Sequence, residues 1–268
     1  MKQLIAISFV ILLTGCASNP FSKFYYDLTN GQDLTKFDHL TLLEKDKKPL
    51  LYRGKDKDDD RIKMLENNYI MVGYSSFNAG NVDEKGVFTQ AKRIRATAIV
   101  LYSQYTNTVS GAMPLTLPDT QTSNTNVSGS VYGSGGYANY SGYANTTTYG
   151  TKTTYIPYNV QRYDYGATYW VQRNRTTFGL VPIDLDANLR AEIQSNKGML
   201  IEAVIKNSPA FRADIFRGDI LKSIGSIDIY TAKDYEDALK KHQGKVTKVI
   251  IFRNGKLIEK QVTFNNNA

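Results

Sequence analysis

The residues able to do chemistry in this chain are few and poorly placed for one another. His39 and His242 are its only histidines and stand near opposite ends, so a nucleophile triad built on a histidine base has almost no material. Ser134 sits in Gly133-Ser134-Gly135, but an activated serine needs a strand before it and a helix after it, and its surroundings are low-complexity sequence. Cys16 is the only cysteine, which rules out an internal disulfide and, with two distant histidines, an ordinary zinc set. The glycine-rich stretch 129–136 lacks the lysine and the flanking elements of a phosphate loop. Asp58-Asp59-Asp60 lacks the glycine and distal glutamate of a calcium loop and reads as the acidic first turn of a helix. Paired carboxylates of the glycosidase kind have no fixed spacing, and no pair is singled out. The expectation is a protein that is not an enzyme, with no catalytic residues, no metal and no cofactor.

Cys16 has a different chemistry open to it. Met1-Lys2 is followed by an apolar run, Leu4 to Leu13, too short to span a bilayer, and then by Leu13-Thr14-Gly15-Cys16. This is the order of an export signal with a small-residue cleavage site. The tetrapeptide resembles the bacterial lipobox. The resemblance implies cleavage before Cys16, a thioether-linked lipid and acyl chains such as palmitate on the new N-terminus. With about 0.8 kcal/mol per buried methylene, two or three chains would hold the protein on the membrane. Ala17 stands where an aspartate would signal inner-membrane retention, so outer-membrane sorting is implied, with the periplasmic and exterior faces both open. The net charge of +8 is scattered through both halves, without an arginine-rich block or an aromatic-basic stripe, so no nucleic-acid partner is expected.

The elements that must position anything else divide the chain into a leader (1–16), a tether (17–48), a small α+β domain (49–175) and a C-terminal module (176–268). In the α+β domain, Lys48 to Arg53 reads as a strand, Asp58 to Glu66 as a helix, Tyr69 to Phe77 as a strand and Val82 to Arg95 as a helix. Ala96 to Tyr102 is β-branched and apolar, the pattern of a strand buried on both faces, and Tyr163 to Val171 alternates with a period of two. Between the last two lies an insertion, 106–155, dominated by Ser, Thr, Asn, Gly and Tyr and charged only at Asp119 and Lys152. Two readings stay open: a mobile loop, or a long polar hairpin carried by the strand propensity of Tyr and Thr. Tyrosines among small polar residues also make low-entropy contact surfaces.

From Thr177 to Phe264 the organisation changes. Thr177-Phe178-Gly179-Leu180, Asn207-Ser208-Pro209-Ala210, Arg217-Gly218-Asp219-Ile220-Leu221, the helix Ala232 to His242 and the hairpin turn Asn254-Gly255 follow in order. This run of about ninety residues resembles the PDZ domains of bacterial HtrA-type proteases. The resemblance implies a β-barrel or sandwich with one or two helices, in which a peptide C-terminus adds as a strand beside the one starting at Leu180. Its carboxylate would meet the N–H groups of Phe178, Gly179 and Leu180, with Ile183, Tyr235 and Leu239 completing a side-chain pocket. Pro182 removes one donor from that strand. His242, at a helix end before Gly244, reads as a cation beside helix carbonyls.

The protease domain that accompanies such modules is missing from the residue pattern, so catalysis does not carry over. The function implied is that of a lipid-anchored envelope scaffold capturing the C-terminal peptide or exposed strand of an envelope protein. Two alternatives remain open: a structural or surface-contact lipoprotein whose insertion makes the contacts while the PDZ module only packs, and an accessory subunit of a separate envelope protease.

Overall fold

The computed structural model describes residues 18–174 and 176–266. Cys16 and the leader before it lie outside the described residues. The chain divides into two compact units, one formed by residues up to 104 together with 164 onward, the other by Tyr105–Tyr163.

In the first unit the elements begin with helix α1 (Pro20–Lys23), strand β1 (Tyr25–Asp27), a 3-10 turn at Leu34–Lys36 and strand β2 (Leu40–Thr41). They continue with β3 (Leu50–Arg53), α2 (Lys57–Glu66), β4 (Tyr69–Ala79), α3 (Lys85–Arg93), β5 (Ala98–Gly133) and β6 (Gly136–Arg173). The sheet order is β1-β4-β6-β5-β3, with β2 on β6. β3 runs parallel to β5 in the register Leu50↔Ala98, which the long connection through α2, β4 and α3 allows. The expected double-sided burial of the strand after Ala96 is present. Ala98 and Val100 pack with Met64, Tyr69 and Trp170, while Ile99 and Leu101 are buried with the opposite alternation. Asp58, Asp59 and Asp60 lie in the first turn of α2 as expected, and Asp56, which the sequence reading did not single out, caps it by accepting from the N–H groups of Asp58 and Asp59.

Residues 18–48 are not a free tether. Phe21 is fully buried and meets Phe77 and Tyr165 edge-on. β1 pairs antiparallel with β4, β2 pairs with Arg173 and Gln172 of β6, and Leu40 and Leu43 are buried. Polarity disguises this segment, because its few apolar residues are spaced to cap a sheet formed elsewhere rather than to form a core of their own.

The C-terminal part runs β7 (Leu180–Asp184), α4 (Ala187–Glu192), β8 (Met199–Val204), α5 (Pro209–Arg212), β9 (Ile220–Ile224), β10 (Ile227–Asp228), α6 (Ala232–His242), β11 (Val246–Arg253) and β12 (Lys256–Thr263). Its sheet order is β12-β11-β9-β8-β7, with β10 on β9, so β7 is an edge. The motifs of the sequence each have a mechanical role. Ser208 caps α5 by accepting from the Phe211 N–H, and Thr231 forms a capping box with Asp234 on α6. Asp219, nearly fully buried, holds Arg253 by two hydrogen bonds of 2.6 and 2.7 Å, and that guanidinium lies 4.5 Å over the Phe216 ring. Asn254 and Gly255, both at positive φ, close the β11–β12 hairpin. The core gathers Phe178, Met199, Ile201, Leu221, Ile224 and Phe264 among others.

The second unit, Tyr105–Tyr163, comprises the outer lengths of β5 and β6 and is a hairpin, not a mobile loop. Thr116 and Thr153 share a hydroxyl hydrogen bond of 2.9 Å across the ribbon, as do Ser110 and Asn159 at 2.7 Å, and Tyr158 and Tyr140 cover Gly111 and Gly129 of the other strand. Of the two readings the sequence left open, strand propensity prevails because the segment lacks the charge repulsion that would hold it apart.

Candidate functional site

The site is built from the edge strand β7, the helix α6 and the loop Thr176–Gly179 that leads into β7. Gly179 adopts φ +94°, and a side-chain carbon there would collide with Cβ of Ser208. Its glycine therefore serves the packing of the loop on the cap of α5. The Gly179 carbonyl accepts from the Ile205 N–H at 2.9 Å, and the Phe178 carbonyl from the Ala210 N–H at 2.9 Å. The N–H groups of Phe178 and Gly179 have no hydrogen-bond partner among the described residues. With Gly179 bonded to Ile205 and Leu180 opposite Val204, the alternation of an antiparallel ladder turns the N–H and C=O of Leu180 away from β8. Two loop N–H groups and one strand N–H are thus left without a partner among the described residues.

A cavity of about 1170 Å³ lies beside them, lined by Thr177, Leu180, Val181, Pro182, Tyr235 and Leu239 together with Arg173. Its remaining wall includes Lys36, Phe37, Asp38 and His39. That wall is fixed to the end of β6, where Asn174 donates its backbone N–H to the His39 carbonyl at 2.8 Å and its side-chain amide to the Asp38 carbonyl at 3.1 Å. Arg173 is half-buried, and its guanidinium has no hydrogen bond or ion pair among the described residues. Burial holds its pKa below its ordinary value, opposed by the nearby Tyr235 hydroxyl. An unsatisfied cation beside unpaired N–H groups favours an anion.

The residues named from the sequence fall out as follows. Leu180, Tyr235 and Leu239 line the cavity. Phe178 does not: its ring is fully buried and stacked on Phe264 at 4.6 Å, so only its N–H can face a ligand. Ile183 is exposed and outside the cavity lining. The cause is the period of two along β7, which puts Leu180 and Ile183, three residues apart, on opposite faces. Val181 and Pro182 line the cavity instead. Arg173 and the Lys36–His39 wall were missed. A cation four residues before Thr177 was the available signal for the first, whereas the second depends on tertiary packing alone.

His242 faces the Thr247 hydroxyl, not helix carbonyls. Its Nδ1 lies 3.1 Å from the Thr247 hydroxyl, and burial, with Lys241 and Lys245 adding to it, pushes its pKa down. Among the described residues no cluster of three His, Cys, Asp or Glu side chains could hold a metal ion, and no helix is long and apolar enough to cross a membrane, which says nothing of a β-barrel.

Comparison with known proteins agrees with this architecture. Residues 200–253 match the family model described as PDZ domain, so the C-terminal part of the chain carries a PDZ domain. No curated protein matches the chain. Among solved structures it is similar to two of the HtrA-type protease AlgW with a decapeptide, one of them a substituted form. They share 12% and 13% identity with it, with TM-scores of 0.32 and 0.31 over 38% of this chain and 37% of each of those. It is also similar to a PDZ domain protein from Parabacteroides distasonis ATCC 8503, at 9% identity and a TM-score of 0.21, over 92% of this chain and 70% of that one. The chain thus spans little more than a third of the length of the AlgW chains it matches.

Proposed function

We propose that this protein is a non-enzymatic scaffold of the bacterial envelope, lipid-anchored at Cys16 in the outer membrane, whose PDZ domain captures the free C-terminus of an envelope protein. The observation that carries the reading is the pair of N–H groups at Phe178 and Gly179, without a partner among the described residues, in the loop between Thr177 and Leu180, both of which line the cavity together with Arg173. Oriented backbone donors and a partly buried guanidinium suit a terminal carboxylate, while Leu180, Val181 and Leu239 offer apolar surface to the last side chain.

The groove is short on strand-pairing capacity. Pro182 has no N–H, and the Leu180 carbonyl is already engaged by the Tyr235 hydroxyl at 3.2 Å. Recognition accordingly rests on the carboxylate and the terminal side chain more than on an extended ladder. Titrating peptides with apolar C-termini against the wild type and Leu239→Lys tests this. A charge in the pocket should cost about 1 to 3 kcal/mol, roughly five- to 150-fold in affinity. Unchanged binding by Leu239→Lys would place recognition elsewhere.

A further inference from the structure

Away from the groove, a bulge in the PDZ sheet gathers two buried polar side chains. Ser223 of β9 pairs with Ile250 of β11 and Leu221 with Ile251, which leaves Lys222 as the extra residue between them. Leu221 and Ile224, three apart, therefore both reach the core, while Lys222 and Ser223 both line a cavity of about 600 Å³ on the other side of the sheet. Ile250 and Phe252 line it too, alternating along β11 with Val249 and Ile251 of the core, and Leu257 joins them from its place opposite Phe252 on β12. This cavity shares no lining residue with the peptide groove.

The cavity is one negative charge short. Lys222 is only 7% exposed and Ser223 only 8%. The Lys222 ammonium donates to the Lys197 carbonyl at 2.5 Å and lies 5.5 Å from the centre of the Phe252 ring, but it has no carboxylate partner among the described residues. The Ser223 hydroxyl has no partner among them at all. Burial, with Lys197 adding to it, pushes the Lys222 pKa down, so its charge is held against a desolvation penalty. The other charges of the lining are already matched: Lys197 pairs with Asp228 at 2.5 Å, and the exposed Glu259 with Lys248 at 3.3 Å. What remains suits a single negative charge rather than a phosphate dianion.

We propose that this cavity binds a small amphipathic carboxylate such as a medium-chain fatty acid. Its head accepts from the Lys222 ammonium and the Ser223 hydroxyl, and its tail lies on Ile250, Phe252 and Leu257. Small-molecule sites have this size and this make-up, an apolar lining with a few convergent polar groups. The ligand supplies the counter-charge that the fold withholds from Lys222. Packing does not require that charge, since methionine would fill much the same space.

The test titrates octanoate and octanol against the full chain carrying Cys16→Ser, which keeps acyl chains and detergent out of the measurement. Octanoate should bind saturably and at least about tenfold more tightly than octanol. Lys222→Met should erase that difference, and Arg173→Gln in the groove should leave it intact. Leu257 is largely exposed, so Leu257→Asp leaves the fold alone and should weaken octanoate about tenfold by charge repulsion, which keeps the test open if Lys222→Met does not fold. Absence of saturable binding, equal affinities for acid and alcohol, or a preference that survives both Lys222→Met and Leu257→Asp would each overturn the proposal. So would octanoate binding that is lost in Arg173→Gln, since that would place the carboxylate in the peptide groove.

Discussion

The Tyr235 hydroxyl donates to the Leu180 carbonyl oxygen at 3.2 Å, tying helix α6 to the edge strand β7 at the point where an incoming peptide would have to pair. Tyr235 is almost wholly buried, and burial drives its pKa well above the usual tyrosine value, so the hydroxyl stays a donor throughout the physiological range. Tyr235→Phe keeps the ring in the core and deletes only the donor. The expected result is a loss of about 1 kcal/mol in stability, with peptide affinity retained or increased because the Leu180 carbonyl becomes free for a ligand N–H. Chemical denaturation and peptide titration of the same sample check both parts; weaker binding would show that the hydroxyl positions the strand rather than competing for it.

Gly179 yields a second prediction. With φ at +94° and Ser208 behind it, even a methyl group strains the loop. Gly179→Ala should therefore lower stability by at least about 2 kcal/mol, from the backbone conformation and the contact together. An alanine variant with an unchanged melt would mean that the glycine serves only the approach of a ligand.

A third concerns the ion pair between Arg61 on α2 and Glu202 on β8, a two-pronged contact of 2.6 and 2.9 Å between the α+β sheet's helix and the PDZ sheet. Hydrogen bonding from Arg61 lowers the Glu202 pKa in the folded protein. A depressed carboxylate pKa contributes stability above the unfolded value of about 4.3 that is lost as pH falls through the folded value. Arg61→Ala should cost about 1 kcal/mol at pH 7, and the difference from wild type should shrink as the pH is taken from 5 toward 3. Melting curves across that range read it directly; a difference independent of pH would show that packing, not charge, is what Arg61 contributes.

How far the sequence could be read depended on the range of the interactions concerned. Local grammar was visible: Asp58 to Asp60 in the first turn of a helix, Ser208-Pro209 and Thr231 as caps, Asn254-Gly255 as a hairpin, and the doubly buried strand after Ala96. Leu180, Tyr235 and Leu239 could be placed beside the cavity only through the resemblance to PDZ domains, carried by the order of the motifs from Thr177 to Phe264. Ile183 was set beside Leu180 although their spacing of three puts them on opposite faces of a strand, while the wall at Lys36–His39 left no local signal because Asn174 holds it from far along the chain. Phe21 was hidden for the same reason: a lone aromatic in polar sequence is buried only because β4 and β6 happen to present Phe77 and Tyr165 to it.

The anchoring half of the proposed function is tested at Cys16. Cys16→Ser removes the thiol that would be alkylated, so metabolic labelling with a palmitate analogue should vanish and the protein should leave the membrane fraction. Continued sedimentation with membranes and persistent label would contradict the anchor.

The central claim is that the loop before β7 holds a terminal carboxylate, and the most direct measurement compares one peptide in two forms, with a free C-terminus and with a C-terminal carboxamide. Hydrogen bonds to a charged group are worth about 1.5 to 3 kcal/mol, so the free acid should bind at least tenfold more tightly, and Arg173→Gln should narrow that gap. Equal affinities for the two forms would contradict the account, because the unpaired N–H groups of Phe178 and Gly179 would then be holding nothing that a carboxylate supplies.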